Sequence, residues 1–326
     1  MNDRTTDATT GPGTSARSDL PDTPARLDAG GWAAAAKRSM KEFRQDNLQD
    51  WAAALTYYGI LSIFPGLLVL VSLLGLLGKA ATQPVITGLT KAAPGSVRQI
   101  VLDAVVHLQH SHATAGILAA AGIVVGLWSA SGYVAGFMRA SNVIYDVPEG
   151  RPLWKTTPIR LGVTLVMLVL LVASAVIVVV TGTLAHRVGN ALGIGSAAVT
   201  AWNIAKWPVL LIIVSVMFAI LYWASPNARH GFRLVSPGSV LAVVLWLIAS
   251  GLFALYVANF GSYNKVYGSL AAVIIFLIWM WISNTAVLIG AEFNAELERG
   301  RAIASGLPPD TEPFTELRDT RKLPRK

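Results

Sequence analysis

Over most of this chain the apolar residues neither alternate nor fall into stripes; they run on. Six stretches, at about 54–77, 113–137, 161–184, 207–223, 237–258 and 270–290, carry no Asp, Glu, Lys or Arg in their cores. A helix needs about 20 apolar residues to cross the roughly 30 Å hydrocarbon layer of a bilayer. Soluble helices keep a polar face toward water instead. The pattern therefore predicts an all-α polytopic membrane protein, a bundle of six transmembrane helices. The fourth stretch is short, and an earlier start near Ala198 would lengthen it.

Two segments break the pattern and read as amphipathic helices. Between 96 and 110, Val97, Ile100, Val101, Ala104, Val105 and Leu108 recur at offsets of three and four. Ser96 and Gln99 fit a capping box there. This helix can lie on the membrane, over a vestibule, or simply cover the bundle. Between 32 and 47, Trp32, Ala36, Met40 and Phe43 are expected on one face, with Lys37, Arg38, Lys41 and Arg44 facing away. Such a basic helix suits anionic lipid headgroups. Residues 1–30 and 302–326 are polar and Pro-containing and are expected to be disordered cytoplasmic tails around a membrane domain at 31–301.

Lysine and arginine set the orientation. Lys37, Arg38, Lys41, Arg44, Arg139, Arg151, Lys155, Arg160, Arg229, Arg233, Arg299 and Arg301 would share one side, and Lys79, Lys91, Arg98, Arg187, Lys206 and Lys265 the other. The positive-inside rule then puts both termini in the cytoplasm. The apolar core near the start that marks a secretory signal is absent from the first thirty residues.

Composition narrows the chemistry. The 326 residues are 54% hydrophobic and 13% charged, and the chain lacks cysteine. That excludes disulfides, thiolate metal sites and a cysteine nucleophile. The net charge of +8 lies beside apolar spans, which fits membrane topology better than nucleic acid. His107, His110 and His112 are not expected to hold a metal. Hydrolase and phosphate-loop motifs are missing. No catalytic residue, metal or cofactor is expected, and the chain is read as a non-enzyme.

The candidate functional residues are polar or helix-breaking groups in or beside the spans: Asp50, Tyr57, Tyr58, Ser62, Pro65, Ser129, Asn142, Tyr267, Asn284, Glu292 and Asn294. Pro65 frees the carbonyl of Leu61, either as a tolerated kink or as an exposed acceptor for a substrate. Gly122, Gly126, Gly132 and Gly136 invite close helix packing, or an unwound segment around Ser129, Ser131 and Gly132. Ionisable groups at membrane depth suggest function. Asp50 or Glu292 is expected to pair with Arg139 or Arg160. The alternative is that these charges only end helices.

Three ordered stretches resemble the YihY/BrkB family of bacterial inner-membrane proteins. They are Asp50-Trp51-Ala52-Ala53-Ala54-Leu55-Thr56-Tyr57-Tyr58 with Ser62-Ile63-Phe64-Pro65; Ala140-Ser141-Asn142-Val143-Ile144-Tyr145; and Tyr263-Asn264-Lys265-Val266-Tyr267-Gly268-Ser269-Leu270 with Trp279 and Gly290-Ala291-Glu292-Phe293-Asn294. The resemblance implies six membrane helices with both termini inside the bacterial cytoplasmic membrane. Members have carried the label ribonuclease BN, are linked to serum resistance, and are grouped with transporters. The expected function is a transporter or permease for a lipid, amphiphile or small solute, with a membrane scaffold as the alternative. Expected partners are the bilayer, anionic headgroups at the basic N-terminal helix, and a homo-oligomer or unknown protein; nucleic acid is not expected.

Overall fold

The computed structural model describes residues 27–76, 114–179, 196–259 and 269–324. Seven α-helices form among them: α1 (Ala29–Gln45), α2 (Leu48–Leu76), α3 (Thr114–Ile144), α4 (Leu153–Val179), α5 (Ser196–Ala224), α6 (Pro237–Asn259) and α7 (Ser269–Ala304). Four of them are long and apolar enough to cross a membrane, over Leu153–Val178, Thr200–Ala224, Pro237–Ala258 and Val273–Ala304. The first two apolar runs form α2 and α3, of 29 and 31 residues. The helix expected at 96–110, with its three histidines, and Tyr267 lie outside the described residues.

Large apolar side chains cover the outside of the bundle. On α6, Val240, Val244, Leu247, Ile248, Leu252 and Leu255 are all exposed, and only 11% of its most apolar window is buried. Such a helix is stable against hydrocarbon and not against water. The buried core lies toward one end, where α2, α3, α5 and α7 meet around Leu55, Phe137, Leu221 and Leu288. We refer to it as the polar end, because every inter-helix ion pair among the described residues gathers there.

Local chemistry decides where helices stop at this end. Asn47 and Asp146 are in the left-handed region, each with φ of 51°, just after α1 and α3. Short polar side chains tolerate that conformation best after glycine. At Asp146 the chain closes a Schellman motif, with Val147 N–H donating to the Asn142 carbonyl and Asp146 N–H to the Val143 carbonyl. α6 begins with Pro237 in its first turn. Ser236 and Ser239 cap it reciprocally, each backbone N–H donating to the other's hydroxyl at 3.0–3.1 Å.

Two expectations change. On α1, Ala35 and Ser39 are buried and Arg38 and Glu42 turn inward, while Ala36 is exposed and Met40 is 61% exposed. The inward face is polar because it meets a polar stretch of α7: Arg38 Nε donates to Glu296 at 2.5 Å, and Trp32 rests on Phe293. The stripe expected from hydrophobicity holds at Trp32 and Phe43, which pack inward, and fails at Ala36 and Met40. The C-terminal segment is also ordered. Past the end of α7, Phe314 and Asp319 are buried, Leu317 bridges Ala228, and Lys322 N–H donates to the Gly150 carbonyl. Its order rests mainly on hydrogen bonds to distant loops, which composition does not register.

Candidate functional site

Two neighbouring regions collect the polar candidates. The first lies inside the bundle. Asn284 on α7 donates from Nδ2 to Thr56 on α2 at 3.0 Å, and its Oδ1 accepts from the Tyr133 hydroxyl on α3 at 2.9 Å. An amide has both a donor and an acceptor, so a single residue ties three helices. Tyr133 also walls a cavity of about 370 Å³ between α2, α3, α4 and α5. Ser62 and Thr164 line it, among Ile63, Met167, Leu171 and Phe218. The two hydroxyls donate back to their own helices, to the carbonyls of Tyr58 and Arg160 at 2.7 Å. This satisfies them without a partner across the cavity. The cavity is therefore apolar in outline, with a few oxygen acceptors and a phenol at its rim, and its volume is in the range of small-molecule sites.

The glycines of α3 divide between the two roles foreseen for them. A Cβ at Gly136 would sit 2.7 Å from the Tyr58 ring, so here α3 and α2 pack closely. A Cβ at Gly132 would meet nothing within 4 Å. α3 is helical through Ser129, Ser131 and Gly132, with no unwound segment there. Pro65 likewise stays inside a continuous α2.

The second region is the polar end. Glu292 is 1% exposed, and its Oε2 has no hydrogen-bond partner. Asp46, Glu296, Glu42 and Asp146 surround it electrostatically. Arg299 gathers these acids: it reaches Glu296 at 3.4 Å, Asp146 at 3.5 Å, Glu312 at 2.9 Å and Glu42 at 4.0 Å. Burial, then the charges of Asp146 and Glu42, push Asp46 up to about 7. Burial and the neighbouring Glu312 push Asp146 up to about 6. The expected pairing of Asp50 or Glu292 with Arg139 or Arg160 is not formed. Asp50 is exposed in the first turn of α2, Arg139 lies over the Tyr58 ring at 5.2 Å, and Arg160 over Trp128 at 4.3 Å.

Asn142 and Asn294 serve the framework. Asn142 accepts from Asn227 N–H at 2.8 Å and donates to Glu149 at 2.9 Å. Glu149 holds Arg151, whose guanidinium also reaches the carbonyls of Ala224 and Ser225 at the end of α5. Burial opposes ionisation of Glu149, but the hydrogen bond and charge of Arg151 hold its carboxyl below the usual range. Asn227 and Asp319 exchange two bonds, and Lys155 pairs with Asp319 at 2.6 Å. Asn294 Oδ1 accepts from Gly238 N–H at 2.8 Å and its Nδ2 donates to Ser236, fixing the start of α6. Tyr57 is 61% exposed beside Tyr58, and Ser129 is exposed too, so neither joins these regions.

Of the residues foreseen, Ser62 lines the cavity, Asn284 holds the Tyr133 hydroxyl behind its wall, and Glu292 stands in the acidic cluster. Thr56, Tyr133 and Thr164 were not singled out, nor were Arg151, Asn227 and Asp319. Single polar residues in apolar runs (Thr56, Thr164) offered a usable signal. The loop and tail residues offered none, because the partners that tie them to other segments are 70 or more positions away in sequence.

The helices and their apolar exteriors define a multi-helix membrane protein. The family profile described as Virulence factor BrkB matches residues 39–313. The chain belongs to that family. Among its relatives, the ribonuclease-like protein YfkH of Bacillus subtilis is 29% identical over 266 residues, covering 82% of this chain and 94% of YfkH. A UPF0761 membrane protein of Alkalilimnicola ehrlichii is 31% identical over 288 residues, covering 82% of this chain and 60% of that relative. Another, from Chromohalobacter salexigens, is 30% identical over 83% of this chain and 66% of its own length. No solved structure matches the chain.

Proposed function

We propose that this protein is a permease-like carrier for an amphiphile or lipid, with six membrane helices and both termini on the cytoplasmic side of the bacterial inner membrane. The observation that carries the reading is the cavity of about 370 Å³, with its mostly apolar walls and the polar groups Ser62, Thr164 and Tyr133 among them, Tyr133 being held by Asn284 behind it. Apolar walls suit a hydrocarbon chain, and a few placed polar groups suit orientation of one end. The lengths of α2 and α3 and the basic residues of the polar end support the topology. Catalysis is not part of this reading, and neither is nucleic acid. A scaffold would recruit through free tails. The packing of Phe314 and Asp319 against the bundle weighs against that role for the C-terminal segment.

The test is movement of a fluorescent single-chain phospholipid across proteoliposome membranes. Met167→Trp places a bulky ring in the cavity and is expected to reduce the rate at least tenfold, with folding retained on a size-exclusion column. Equal rates for wild type, Met167→Trp and empty liposomes would sink the proposal.

A further inference from the structure

A second concavity lies outside the bundle, away from the cavity. It is an open groove of about 610 Å³ between the start of α1 and the first turns of α6. Trp32 and Phe293 form one wall, Val240, Leu241 and Val244 form the floor, and Arg233 stands at its end.

Arg233 differs from the arginines that hold the polar end together. Arg38, Arg151, Arg229 and Arg299 each hold a carboxylate, and Arg318 donates to the carbonyls of Ala228 and Trp223. Arg233 is half-buried; Glu298 acts on it electrostatically, but among the described residues no carboxylate lies within ion-pair distance of it. A guanidinium in that state is a donor fork without an acceptor, and phosphate oxygens match its geometry. Its neighbours place it at headgroup depth. Phe232, Leu234 and Val235 are 48–65% exposed around it and fit the apolar side of an interface, while the long arginine stem lets the charge reach water. The beginning of α6 adds the positive end of a helix dipole beside the same spot.

We propose that this groove binds one anionic phospholipid, its phosphate on Arg233 and an acyl chain along Val240, Leu241 and Val244. The site stands whether or not the protein transports anything. It also moves the expected headgroup contact away from Arg38 of the basic N-terminal helix, which is engaged by Glu296. One cation near a membrane surface favours an anionic headgroup by about fivefold.

The experiment is native mass spectrometry of the full chain released from nanodiscs of phosphatidylcholine and phosphatidylglycerol. The wild type is expected to retain one phosphatidylglycerol about fivefold over phosphatidylcholine. Arg233→Gln should abolish the preference. Val240→Trp, which fills the floor, should reduce retention of both lipids, whereas Arg229→Gln on the exposed pair with Glu316 should change neither. Thermal melting checks that each variant is folded. The proposal is overturned by equal retention of the two lipids in the wild type, or by a preference that survives Arg233→Gln. A dimer mass without bound lipid would also overturn it, because a second copy would then fill the groove.

Discussion

At the polar end, Asn227, Arg151 and Arg299 each join several segments distant in sequence, and backbones approach to contact. Around the cavity the Ser62 and Thr164 hydroxyls turn back onto their own helices, and most of the walls are flexible or apolar side chains such as Met167, Met217 and Phe218. Directional bonds fix geometry, whereas apolar walls tolerate rearrangement. The contrast separates a part of the molecule that must keep its shape from one that can open around a guest.

The largest expected effects come from steric intrusion at the polar end. A Cβ at Gly238 would overlap the Gly290 carbonyl, and one at Gly150 the Asp319 carbonyl. Gly238→Val and Gly150→Val are therefore expected to eliminate monodisperse protein on size-exclusion chromatography. Gly132→Val, with open space around it, should leave the elution profile unchanged. If all three behave alike, the two regions do not differ in the way described. Next in size is Arg151→Leu. It strands the Ala224 and Ser225 carbonyls and the Glu149 carboxylate, a loss on the order of 3 kcal/mol. Chemical denaturation in detergent would measure it.

A smaller effect is pH dependence confined to the polar end. Asp46 titrates at about 7 and Asp146 at about 6, against 3.8 for an unperturbed Asp. Between those values the folded protein holds protons that the unfolded chain releases. Their contribution is thus complete below about pH 4, falls as pH rises toward 7, and changes no further above it. Glu149 acts oppositely, contributing above its unfolded value and losing that contribution as pH falls. Asp46→Asn should flatten the decline in melting temperature between pH 5 and pH 7. A slope unchanged by that substitution would count against the acidic cluster. The smallest stability effect is expected at the cavity: Tyr133→Phe removes one hydrogen bond to Asn284, worth about 1 kcal/mol or less in a membrane protein. Its effect on lipid movement should exceed its effect on melting.

Much of the architecture was legible because runs without a polar face have few physical solutions. α4, α6 and α7 follow directly from them, and Trp246–Ser283 and Trp279–Ser250 hydrogen bonds join α6 to α7. α1 was legible as a helix and only in part in its facing: Trp32 and Phe43 pack inward as expected, but Arg38 and Glu42 turn toward buried charges on α7 rather than toward water. The C-terminal segment was missed because Phe314 is its one large buried apolar residue, and the rest is held by Asn227, Lys155 and the Gly150 carbonyl. Asn284, Glu292 and Asn294 stood out as polar groups beside apolar runs. Tyr133 did not, because a tyrosine near a span reads as an interfacial ring until its hydroxyl is seen on Asn284.

The hydrogen bond from Lys322 to Gly150 also imposes an order on biogenesis. The loop between α3 and α4 leaves the ribosome some 170 residues before its partner is made. The helices from α2 to α7 are therefore all made, and can meet, while this end is still open. Closure comes from the segment after α7, made later than all of these helices, so a nascent chain stalled before Phe314 would present the unlatched loops to quality-control proteases.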